Sequence, residues 1–78
     1  MAYTKHRIDD SNENINRVID NYINGFKAYR NKQILKSRLI EGMTFEELAE
    51  KYDMSVMQIK YIVYRDMEII SKHLRVED

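Results

Sequence analysis

The 78-residue sequence has no cysteine, no proline and no tryptophan, and only two glycines. Without cysteine there can be no disulfide, thiolate metal site or thiol nucleophile, and a reducing compartment is permitted. A strand-rich sheet needs many Gly, Pro and Asn-Gly turns. Their scarcity, beside 44% apolar and 33% charged residues, points to helices. No apolar run is long enough to span a bilayer, and the N-terminal MAYTKHRIDDS lacks the apolar centre of a signal peptide. The expectation is a soluble protein of the cytoplasm, with residues 1–78 forming a single domain.

Excess charge of one sign is also lacking. The formal net charge is zero, which argues against holding nucleic acid through bulk positive charge. The charges are nonetheless segregated. Residues 21–40 hold five basic and no acidic side chains, whereas residues 41–54 hold five acidic and one basic.

Helical periodicity and start and stop signals divide the chain into four helices, an all-α fold class. Asp10 and Glu13 resemble a capping box, and Ile15, Val18, Ile19, Tyr22, Ile23 and Phe26 follow at the spacing of one helix face. A first helix is therefore expected over 11–24, ended by Asn24-Gly25. A second, over 27–41, carries Ala28, Leu35 and Leu39 on one side with Ile34 and Ile40 beside them. Its other faces hold Lys27, Arg30, Lys32, Lys36 and Arg38, and it stops at Gly42. Thr44 with Glu47 and Ser55 with Gln58 are two further capping boxes, opening a short third helix and a long fourth one. The inner stripe of the fourth helix is expected to be Ile59, Ile62, Val63, Met67, Ile70 and Leu74, with the helix running to about residue 74 and its second half packed on the first helix or on another chain.

Residues 44–64 carry the spacing of a helix-turn-helix. Such a unit locks two short helices together at a steep angle, which demands a small residue at the crossing and apolar residues around it. Ala49 is the small residue, and Leu48, Tyr52, Met54, Ile59 and Ile62 fill the flanking positions. Chemistry of other kinds has little support. His6 and His73 are single histidines far apart in sequence. No Gly-rich phosphate loop, Ser-His-Asp order or paired carboxylates is visible. No enzyme activity, catalytic residue, metal, cofactor or small-molecule substrate is expected.

The segment EGMTFEELAEKYDMSVMQIKYIVYRDMEIISKHL resembles the DNA-binding fourth region of bacterial sigma factors and related small phage or prophage helix-turn-helix proteins. The resemblance rests on Glu41-Gly42 before Thr44, the Phe45-Glu46-Glu47-Leu48-Ala49 helix, the Tyr52-Asp53-Met54-Ser55 turn and Gln58-Ile59-Lys60. It covers roughly residues 35–74. It implies a transcriptional regulator that binds double-stranded DNA in a bacterial or phage-infected cell. Carried over by position, Val56, Met57, Gln58, Lys60, Tyr61 and Tyr64 would face the bases. Gln58 could pair with adenine, Lys60 could meet a phosphate or guanine, and Val56 and Met57 could touch thymine methyls. Lys36, Arg38 and Arg65 would meet the backbone, and the cap residues Thr44 and Ser55 complete the set. So few base contacts imply a homodimer on two half-sites.

A second expectation follows from the absence of arginine at the base-facing positions. Met57, Tyr61 and Tyr64 share one side of the fourth helix, and an exposed Met-Tyr-Tyr patch suits a protein contact. On that reading the scaffold is an inhibitor or adaptor that docks on RNA polymerase, a sigma factor or a host defence nuclease.

Overall fold

The computed structural model describes residues 6–8 and 11–77, with side chains over 11–74. The chain runs β1 (His6–Ile8), α1 (Asn12–Tyr22), α2 (Ala28–Leu39), α3 (Phe45–Lys51), α4 (Val56–His73) and β2 (Arg75–Glu77). The fold is a small all-α helix-turn-helix domain, with α3 and α4 as the two helices of the motif. β1 and β2 pair antiparallel as a short ribbon, His6 opposite Glu77 and Ile8 opposite Arg75. Three-residue strands are too short to show an alternating pattern, so periodicity gave no sign of them.

α1 begins one residue later than the Asp10 cap implied. Ser11 is the N-cap, and its hydroxyl accepts a hydrogen bond from the Asn14 backbone N–H at 3.3 Å. Asp10 lies outside the described residues. The helix ends at Tyr22, where the Ile23 N–H still bonds the Ile19 carbonyl at 3.2 Å. Residues 23–27 then turn a corner with two left-handed positions, Gly25 at φ 97° and Lys27 at φ 60°. This break corrects the expected stripe. Ile15, Val18, Ile19 and Ile23 are buried, but Tyr22 is part-exposed and Phe26 is 88% exposed, because the helical period no longer governs residue 26.

The core has two adjoining parts. Ile15, Val18, Ile19 and Ile23 of α1 and the α1 end pack with Leu35, Ile70 and Leu74, so the second half of α4 does rest on α1. Leu48 of α3 packs with Ile34, Ile59, Ile62 and Val63, and Met43, Phe45, Ala49, Tyr52, Met54 and Met67 pack against that group from its edge. Consecutive residues of α2, Ile34 and Leu35, belong to different parts and join them.

The motif is held by its caps. The Thr44 hydroxyl accepts from the Glu47 N–H at 3.1 Å while the Glu47 carboxylate accepts from the Thr44 N–H at 2.8 Å. Ser55 and Gln58 repeat the arrangement at 3.1 and 2.9 Å. In the turn between them Asp53 is left-handed, φ 54°, a conformation that a short polar side chain tolerates better than most. The inner row of α4 differs from the apolar stripe at one place: Asp66 is buried there and Met67 is only partly so. Hydropathy favours Met67, but the helical repeat from Ile59 through Ile62 and Val63 to Ile70 runs through position 66.

Leu48 is fully buried at the α3–α4 crossing. Leu48→Ala is expected to cost about 2–5 kcal/mol, a large share of the roughly 5–15 kcal/mol that stabilises a small domain. Urea unfolding followed by circular dichroism measures it, and a loss under about 1 kcal/mol would mean that the crossing is not a packed core.

Candidate nucleic-acid interface

The inner row of α4 is occupied, so its outward side is what the helix can present to a ligand. Met57, Tyr61 and Tyr64 lie on that side, 80%, 64% and 59% exposed, with Glu68 one turn beyond Tyr64. Gln58 and Lys60 are exposed as well, although the Gln58 side-chain oxygen is engaged in the helix cap. Val56 is half-buried. Thr44 and Ser55 are exposed, and their hydroxyls are occupied by the caps.

Cations flank this strip on both sides. On the α3 side Phe45 gathers them: the Arg38 guanidinium lies 4.2 Å and the Lys60 ammonium 5.6 Å from its ring centre, and Tyr64 meets the ring edge-on at 5.8 Å. Arg38 also donates to the Met43 carbonyl at 2.8 Å, which braces the loop between α2 and α3. On the other side an open cleft of about 540 Å³ separates α4 from the start of α2. Lys27, Arg30 and Arg65 line it together with Met57, Gln58 and Tyr61.

Two of these guanidinium groups are anchored by buried neighbours. Arg30 donates through Nε and Nη2 to the Asn31 side-chain oxygen at 3.1 and 3.0 Å. Arg65 donates through Nε and Nη2 to the two oxygens of Asp66 at 2.9 and 3.4 Å, and its guanidinium carbon sits 5.4 Å from the Tyr61 ring centre. The hydrogen bond to Asp66 raises the Arg65 pKa above its ordinary value, against the smaller opposing effect of burial. An anchored guanidinium loses less entropy when it binds than a free one. Asn31 is neutral, so the whole charge of Arg30 remains at the cleft, whereas Asp66 offsets that of Arg65.

The expected backbone contacts fare differently. Arg38 and Arg65 flank the strip. Lys36 is ion-paired at 2.8 Å with Asp20 of α1, and Lys32 donates to the Asp20 backbone carbonyl at 3.0 Å. Lys27 and Arg30, which the sequence reading left among the general cations of the second helix, are the ones placed beside α4. No local signal separates them from Lys32 and Lys36. The difference is the location of Asp20, more than ten residues earlier in the chain.

A long helix presenting an exposed polar and aromatic strip, preceded by the short, tightly capped α3 and bordered by cations, defines a helix-turn-helix domain of the DNA-binding kind. The family model for sigma-70, region 4 matches residues 29–68, which takes in nearly all of α2, the whole of α3 and most of α4. The chain belongs to the sigma-70 region 4 family. Neither a curated protein nor a solved structure matches it. α1 lies before the matched segment. No helix among the described residues is long and apolar enough to cross a membrane.

Phe45 organises one cationic border, so its removal is informative. Phe45→Leu keeps an apolar side chain but loses two cation–ring contacts and one ring pair, and is expected to lower stability by about 1–2 kcal/mol. A double-mutant cycle with Lys60→Ala isolates the Lys60 share, and a coupling of zero would show that the two side chains do not interact.

Proposed function

We propose that the chain is a sequence-specific transcriptional regulator that lays the outward strip of α4 in the major groove of duplex DNA. An α-helix is about 10–12 Å across and the groove about 12 Å wide, so side chains at the helix borders meet the two phosphate backbones. The observation that carries the reading is the pair of cationic borders, Arg38 and Lys60 on one side and Lys27, Arg30 and Arg65 on the other. They let a chain of zero net charge hold phosphates locally. Val56, Met57, Gln58, Lys60, Tyr61 and Tyr64 would read bases, with an A·T preference from Gln58 on adenine and Val56 and Met57 on thymine methyls. Gln58 would give up its cap to do so. Thr44 and Ser55 act by fixing the helix starts. Lys36 contributes less than the sequence suggests, since Asp20 already neutralises it.

In this reading residues 1–78 act as one domain in the cytoplasm of a bacterial or phage-infected cell, as a homodimer on two half-sites, without catalysis or a cofactor. A phage or prophage origin rests on the sequence resemblance alone. The exposure of Met57, Tyr61 and Tyr64 favours a second reading, in which the same strip docks on a protein such as RNA polymerase, a sigma factor or a host defence nuclease and acts as an inhibitor or adaptor.

Titration of mixed-sequence duplex with the purified protein at about 50 and 200 mM salt separates the two, because each phosphate contact contributes about −0.9 to the slope of log K against log salt. Lys60→Glu is expected to weaken binding at least about tenfold, and Lys27→Ala with Arg30→Ala to flatten the slope by about 2. Lys36→Ala is expected to change it by less than about 0.5. A folded protein with no affinity for duplex at low salt would sink the first reading. Met57→Ala with Tyr61→Ala would then have to abolish a protein complex for the second to stand.

A further inference from the structure

Among the described residues Asp66 is the one buried acid, 3% exposed on the inner row of α4 with Ile59, Ile62, Val63 and Ile70. A carboxylate in that position has lost its water and needs a cation. Both of its oxygens accept from Arg65, at 2.9 and 3.4 Å, while the Arg65 guanidinium lies over the Tyr61 ring. Arg30 offers an internal comparison. It lines the same cleft as Arg65 and is held through the same two atoms, Nε and Nη2, by the residue that follows it. That residue, Asn31, is also buried, but it is neutral. Two arginines of one cleft thus share one mode of anchoring and differ by the charge of the anchor.

We propose that Asp66 is a positioning residue that withdraws Arg65 from phosphate binding and keeps it as the support of Tyr61. The proposal rests on the DNA reading above and divides its second border, giving the phosphates to Lys27 and Arg30 and the Tyr61 ring to Arg65. If Arg65 swung out to a phosphate, it would leave an uncompensated charge buried in the core. If it stays, the carboxylate at 2.9 Å offsets its charge. What remains to it is the ring one turn earlier on α4, whose centre is 5.4 Å from the guanidinium carbon. A cation over the face of an exposed ring favours one orientation of that ring.

The consequence is for selectivity. Phosphate contacts carry no sequence information, whereas side chains that face the bases do. Taking one cation from the DNA backbone and using it to order Tyr61 lowers affinity for any duplex and raises the ratio of specific to non-specific binding.

Nuclear magnetic resonance of the full chain tests the arrangement without a substitution. The Arg65 Nε–H should exchange slowly with water in the free protein and keep its chemical shift when mixed-sequence duplex is added, while the shift of the Arg30 Nε–H moves. Asp66→Asn keeps the shape and an acceptor oxygen, which makes the anchor of Arg65 like that of Arg30. It should steepen the slope of log K against log salt by about 0.9, so that about three- to fourfold more affinity is lost between about 50 and 200 mM. Glu13→Gln removes one negative charge from the exposed side of α1 and should leave the slope as it is, which separates this effect from a change in net charge. A purely structural Asp66 would alter unfolding and not the slope. Fast exchange of the Arg65 Nε–H, movement of its signal on binding, or a slope for Asp66→Asn equal to that of Glu13→Gln would overturn the proposal and leave the DNA reading standing. Absence of binding by the unsubstituted protein in the same titration would instead remove that reading and this inference with it.

Discussion

The structure depends on covering one face of one long helix. α4 has 18 residues, about 27 Å at 1.5 Å per residue, and its inner row is apolar for nearly all of that length. α3, with seven residues, reaches only the first half. The second half needs α1, and α2 has to lie against both, which it does through Ile34 toward one part of the core and Leu35 toward the other. Every other feature follows from this arrangement. The outer side of α4 is left to a ligand, the start of α2 comes to rest beside it, and the chain must turn sharply at residues 23–27 for α1 to take its place.

The arrangement also sorts the charges. Five cations of the second helix segment look alike in the sequence, but packing α1 on α2 gives Asp20 to Lys36 and Lys32 and leaves Lys27 and Arg30 beside α4. Arg30 and Arg65 are each tethered by the next residue in the chain, Asn31 and Asp66, both buried. Buried polar groups need partners, and here each partner is a guanidinium with donors to spare. The same contacts that satisfy the core thereby pre-position positive charge at its edge.

The region 4 membership and the all-α helix-turn-helix fold were both legible in the residues between Glu41 and Leu74. Thr44 with Glu47 and Ser55 with Gln58 are bonds across three residues, so the motif that specifies them is written next to them. Ala49 and its apolar neighbours likewise follow from the helical repeat. Phe26 was misplaced because the repeat was carried through a corner that one glycine and one left-handed lysine impose, whereas Tyr22, the last residue of α1, lies at the edge of the buried face and stacks on His73. Asp66 was missed because its burial contradicts its polarity and is satisfied by Arg65.

Helix type, helix starts and the two helices of the motif came from the amino-acid order, since capping and periodicity act within about four residues. Which cations border that helix, what Phe26 and Tyr22 face, and how β1 finds β2 came from tertiary packing. Those contacts join residues such as Asp20 with Lys36, Tyr22 with His73 and His6 with Glu77, whose meeting is set by the position of whole helices. A lysine carries the same charge wherever it stands. Whether that charge is available to a ligand depends on which carboxylate the fold brings against it.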